Sequence, residues 1–221
     1  MSEPLQGIRI KFPGICDYVW TTYLNSTLAV TLREGSSIVI AALTSPAAFG
    51  LYRIAQQLSK VLPMLSDPLY QSTYPELARL WSANQRRTFF SVIKRTTFFV
   101  GVSAVLGWLS FVLSGRWLIA LALGPDFSGA YLVTLIYMLA FVIALCGICF
   151  QPAMLAMGMP RKSFLAISIG TISYFLLLFP LVAALGIVGA SAAYVGYYIA
   201  WACVMMLCLR PYWVAGRTVV L

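Results

Sequence analysis

The stretch LYRIAQQLSKVLPMLSDPLYQSTYPEL, Leu51 to Leu77, decides how the rest of this chain is read. It is long enough to cross a bilayer and belongs to a sequence that is 61% hydrophobic and 10% charged, yet it carries Arg53, Gln56, Gln57, Lys60, Asp67 and Gln71. On a helix of about 3.6 residues per turn, Arg53, Gln57, Lys60, Met64, Asp67, Gln71 and Tyr74 form one stripe. Leu51, Ala55, Leu58, Leu62, Leu65 and Leu69 form the opposite one. Lys and Asp each cost up to roughly 3 kcal/mol at mid-bilayer, against a return of about 0.5 kcal/mol per Leu. The polar stripe is therefore expected to line a protein-walled or watered cavity, with its oily back packed or facing lipid.

The surrounding composition requires a membrane. Soluble domains devote roughly a quarter of their residues to charge, whereas this chain has a mean hydropathy of +0.89. Runs such as FLLLFPLVAALGIVGA are apolar throughout, which excludes the alternating pattern of a transmembrane barrel. The fold class expected is an all-α membrane protein, a bundle of about six transmembrane helices. Apolar runs between charged or Gly/Pro punctuation place the spans at Tyr18–Leu43, Phe49–Tyr74, Thr96–Leu118, Ala130–Met157, Phe164–Leu185 and Ile187–Leu209. Residues 1–17 then form an N-terminal segment, 18–209 the transmembrane domain and 210–221 a tail.

Charge sets the expected orientation. Arg9, Lys11, Arg79, Arg86, Arg87, Lys94, Arg95, Arg161, Lys162, Arg210 and Arg217 fall on one side of the bundle, against Arg53 and Arg116 on the other. The positive-inside rule puts the first side, with both termini, in the cytoplasm, and the net charge of +9 reads as topology rather than nucleic-acid binding. The N-terminus MSEPLQGIRIKFPG has no apolar core before a cleavage site, so integration is expected to rely on the spans themselves. The basic stretch ARLWSANQRRTFFSVIKRT between the second and third spans reads as a topology-fixing loop that also suits anionic head groups.

The first span repeats the polar theme with Arg33 and Glu34, followed by Gly35, Ser36 and Ser37. Adjacent residues on a helix diverge by about 100°, so at least one of the two charges needs a partner elsewhere. The competing reading makes Arg33, Glu34, Lys60 and Asp67 a buried ion-pair cluster holding two helices together. Pro63, Pro68 and Pro75 mark kinks or breaks in the second span. In the last span, Gly189, Ala193, Gly196 and Ala200 form a small-residue strip suited to close packing within the bundle. Five cysteines are present, and the pair in CGIC, Cys146 and Cys149, reads as packing rather than redox chemistry. The chain has no His, which removes the commonest metal ligand and general base. No cofactor, metal or enzymatic role is expected.

The marks FGLYRIAQQL leading to YPELARL, LGPDF after the third span, LAMGMPRKSF, and GIVGA between the last two spans occur here in order. In that order the chain resembles the C-terminal six-helix lobe of polysaccharide-exporting flippases. These are the O-antigen and exopolysaccharide lipid-linked oligosaccharide translocases of the multidrug/oligosaccharidyl-lipid/polysaccharide exporter superfamily. The resemblance implies two six-helix lobes around a cavity that opens alternately to either side of the cell (inner) membrane. It implies that cavity cations meet the diphosphate and acidic sugars of an undecaprenyl-linked saccharide. Carried onto this chain, substrate binding falls to Arg33, Arg53, Gln57, Lys60 and Gln71, with Glu34 and Asp67 as counter-ions or coupling groups. Membrane lipid meets the polyprenyl tail, and the second lobe is expected from an upstream segment or another chain. A multidrug or cation antiporter of the same superfamily, a non-catalytic membrane subunit and an inactive truncated fragment are the alternatives. A polymerase or ligase would carry a large outward loop with reactive side chains, and the outward loops here are short.

Overall fold

The computed structural model describes residues 15–124 and 127–218. Those residues are all-helical: α1 Ile15–Val30, a π-helical turn Thr31–Gly35, α2 Ser36–Leu43, α3 Pro46–Ser59, α4 Val61–Ser82, α5 Arg86–Leu123, α6 Ala130–Leu145, α7 Phe150–Ala156, α8 Pro160–Leu185 and α9 Ile187–Thr218. Four helical stretches are long and apolar enough to cross a membrane: Arg86–Leu121, Ala130–Ala156, Pro160–Leu185 and Ile187–Tyr212. The chain is a membrane protein. Among the described residues the two leading spans of the sequence reading fall outside this set: each is divided near its polar residues, and α4, although 22 residues long, is too polar.

In the first, the α-helical ladder widens into the π turn at Thr31–Gly35, the segment holding Arg33 and Glu34. In the second, the helix breaks at Lys60, between α3 and α4. Pro63 explains the break. Its missing N–H is the donor that the Ser59 carbonyl would receive in a continuous helix, and the chain substitutes a tighter bond from the Lys60 N–H to the Gln57 carbonyl at 3.2 Å. Pro68 and Pro75 are accommodated inside α4.

α6 is the hub. It packs against α3, α4, α5 and α9, and α9 in turn packs along the length of α8. The core beneath α3 is aromatic: Tyr52, Tyr137 and Tyr174 are buried there with Leu178, Ala190 and Ala193, and Tyr194 and Tyr198 lean on them. The small-residue strip works inside the bundle, as its spacing suggests. A Cβ on Gly189 would collide with the Leu181 carbonyl, and one on Gly196 with the Leu177 side chain, so α8 and α9 approach to backbone contact. Gly186 alone connects them, at a positive φ of 59° that a side chain would disfavour.

The basic stretch is not a loop. α4 continues to Ser82 and α5 begins at Arg86, joined by a short turn in which Asn84 takes φ 58°. Its Leu, Arg and Lys residues favour helix, and Leu77, Leu80, Phe89, Phe90 and Ile93 bury a small core with Cys149 and Ala153. Arg86 closes the turn, its guanidinium 3.1 Å from the centroid of the Trp81 ring. Cys149 is thus a packing residue, and Cys146 is a free, exposed thiol beside Gly101. Trp108 donates its indole N–H to the Leu135 carbonyl at 3.0 Å inside the bundle.

Candidate functional site

The Lys60 break leaves the polar stripe on one side of the protein. Arg53, Gln57 and Lys60 on the α3 side and Met64, Gln71 and Tyr74 on α4 are exposed among the described side chains. The side chains of Arg33 and Asp67 lie outside the described residues. Glu34 is exposed within the π turn.

Among the described residues, the exposed cations of this segment are held by amides. Lys60 Nζ donates to Gln57 Oε1 at 3.2 Å, one turn back on the same face. Arg53 Nη1 donates to Gln56 Oε1 at 3.3 Å, and its guanidinium lies 5.5 Å from the Phe49 ring centroid. Such partners fix the position of a cation without neutralising it, because an amide oxygen carries only a dipole. A buried clasp of Lys60 is thereby excluded, since Lys60 is exposed and paired to Gln57.

The inner side of α3 differs from the sequence expectation. Of the expected apolar stripe Ala55 and Leu62 are buried, Leu51 and Leu58 half-buried and Leu69 47% exposed, and Tyr52, Gln56 and Ser59 are buried beside Ala55. Gln56 Nε2 donates to the Tyr137 hydroxyl at 3.3 Å, and the Tyr137 and Tyr52 hydroxyls lie 3.2 Å apart. Ser59 Oγ donates to the Ala55 carbonyl at 2.7 Å, with the Thr134 carbonyl of α6 at 3.3 Å. The Tyr174 hydroxyl sits beside Tyr52 and Ser36, outside strict hydrogen-bond geometry. A polar chain therefore runs inward from Arg53 through Gln56, Tyr137 and Tyr52 to Tyr174 and Ser36, the residue that follows the π turn.

Sequence reasoning assigned Gln57 to the site and left Gln56 out of it. The signal available was the i, i+4, i+7 spacing of Tyr52, Gln56 and Ser59, which is itself a helical stripe. The π turn was not legible. Gly35 there lies against Phe175, and a Cβ would stand 3.6 Å from that ring, a contact set by α8 far away in sequence. π turns recur at functional sites because they reorient side chains on an otherwise regular helix.

Two surface hollows elsewhere in the bundle are lined by other residues. What the site offers is a row of fixed cations and amides on a helix pair whose reverse side is anchored in the aromatic core. A family model described as polysaccharide biosynthesis protein matches residues 6–130, more than half of the chain and every residue of the stripe. No curated protein matches the chain. No solved structure matches it either.

Proposed function

From the premise that this chain belongs to the polysaccharide biosynthesis protein family, we propose that it is one six-span half of an exporter that flips a lipid-linked oligosaccharide across the cell membrane. In this reading α1 with α2 forms one of the remaining two spans and α3 with α4 the other, and both termini face the cytoplasm. Transport, not covalent chemistry, is the role. The observation that carries the reading is that Arg53, Gln57, Lys60 and Gln71 are exposed on either side of the Lys60 break while Tyr52, Gln56 and Ser59 of α3 are buried against α6.

Exposed cations within a span are costly against acyl chains, at up to roughly 3 kcal/mol each at mid-bilayer. Facing a second lobe across a watered cavity they cost far less, and they attract a diphosphate more strongly than in bulk water because the surrounding dielectric is low. Arg53 and Lys60 then take the phosphates, Gln57 and Gln71 the sugar hydroxyls. Arg33 joins them from the π turn, Glu34 and Asp67 balance the charge, and the polyprenyl tail stays among membrane lipids. The second lobe comes from another polypeptide segment, upstream or on another chain.

Replacing Arg53 and Lys60 together by Ala tests this. Surface polysaccharide is expected to fall at least about tenfold, corresponding to one lost charge-assisted contact, while the amount of chain in the membrane stays constant. Unchanged export at normal abundance would overturn the assignment.

A further inference from the structure

The Arg95 and Arg116 positions of α5 stand about 32 Å apart along a straight helix at about 1.5 Å per residue. The stretch between them carries no charge, and the span matches a hydrocarbon core of about 30 Å. Lys94 and Arg95 are thereby set at the level of the lipid head groups, with the apolar part of α5 beyond them.

At that level the surface opens into a hollow of about 660 Å³ lined by Ser91, Lys94, Arg95, Phe98, Phe99 and Phe150, among others. No carboxylate is among the described residues that line it. Phe99 also lines a second hollow of about 280 Å³, which lies between α4 and α5 and is walled by Leu62, Leu69, Val100, Ala104 and Leu145, with Ser103 at its edge. The two hollows share Phe99, giving a groove with basic residues in its first part and aliphatic walls in its second. The Arg95 guanidinium lies 5.9 Å from the Phe99 ring centroid, at the junction.

We propose that this groove binds an anionic phospholipid, its phosphate between Lys94 and Arg95 and one acyl chain along Phe99, Leu62 and Leu69. The charge sequence along α5 matches the occupant: cation, aromatic ring, then aliphatic wall, in the order phosphate, glycerol ester, acyl chain. A second copy of this chain fits less well, because a symmetric contact would bring the Arg87, Lys94 and Arg95 ends together. The inference rests on the membrane assignment and not on the transport reading.

The test is native mass spectrometry of the purified full chain, titrated with phosphatidylglycerol or with phosphatidylcholine of the same acyl chains. The chain is expected to retain phosphatidylglycerol at roughly tenfold lower concentration. K94Q/R95Q is expected to abolish that preference, and R87Q/R210Q, which removes as much charge elsewhere, to preserve it. Ser103→Trp keeps both cations and blocks the second part, so it is expected to release phosphatidylglycerol while the thermal midpoint is retained. Equal retention of the two lipids would overturn the proposal. So would equal losses in the two charge variants, continued binding by Ser103→Trp, or a dimer that carries no lipid.

Discussion

Gln56 and Tyr137 join α3 to α6 through a 3.3 Å hydrogen bond, and the same Gln56 side chain accepts from Arg53 on the protein surface. One buried amide thus holds both the hub of the bundle and an exposed cation. Tyr137→Phe removes the acceptor of the Gln56 amide and the partner of Tyr52. A buried polar group left without a partner costs about 1–3 kcal/mol, so the thermal midpoint in detergent is expected to drop. Gln56→Leu added to it is expected to cost less than the sum of the single changes, since the stranded amide is then gone. Strictly additive losses would show that the bond contributes nothing.

Pro63→Ala supplies the missing N–H opposite the Ser59 carbonyl. α3 and α4 are expected to fuse, seen as slowed amide exchange over residues 60–64, and Lys60 is expected to leave the shared face, lowering export at unchanged abundance. Persisting fast exchange would mean that packing, not Pro63, makes the break.

Two glycines give opposite outcomes. Gly189→Val drives a side chain into the Leu181 carbonyl, and overpacking of this kind costs about 1–3 kcal/mol or more, so folded yield is expected to fall sharply. Gly50→Ala, in α3 with open space around it, is expected to raise stability by up to about 1 kcal/mol from helix propensity. A common effect of both on the unfolding midpoint would contradict the packing of α8 on α9.

Thiol exposure offers a chemical check. In a chain with Cys16 and Cys208 replaced by Ser, a membrane-soluble maleimide is expected to label Cys146 and Cys203, which are exposed, and to reach Cys149 only after unfolding. Early labelling of Cys149 would place the Leu77–Phe89 cluster elsewhere.

Beyond Tyr74, where the second span of the sequence reading ends, Glu76 accepts from Arg79 Nε at 3.1 Å and Nη2 at 2.8 Å. These bonds hold the Glu76 carboxyl below its ordinary range. A depressed carboxyl contributes stability above its unfolded pKa and loses it as pH falls through the folded value. Both side chains are exposed, so solvent screens the pair and the effect is small. Glu76→Gln is expected to unfold slightly earlier than the parent at neutral pH and together with it in acid. A gap between the two melting curves that widened on acidification would reverse the sign.

The leading helices show where sequence reading succeeds and where it stops. Pro63 and the Arg53–Tyr74 stripe announced a broken, one-sided helix, because both are local: a missing donor and a period. Gln56 and Gln57 are chemically identical neighbours, and only Tyr137, brought up on α6, decides which of them is interior. The widening at Arg33 and Glu34 has no comparable local signal in the sequence, and Gly35 at its end lies against Phe175 on α8. The basic stretch was misread as a loop because its charge pattern speaks of topology, while its helical character comes from Leu77, Leu80, Phe89 and Ile93 meeting Cys149. The four long apolar helices were legible because their runs of uncharged residues need no partner to be recognised.

Gly186 bears on biogenesis. A single-residue elbow leaves no tether on which α8 could settle across the bilayer while α9 was still being synthesised. The pair is therefore expected to enter the bilayer as one hairpin, closed along Leu181 and Gly189.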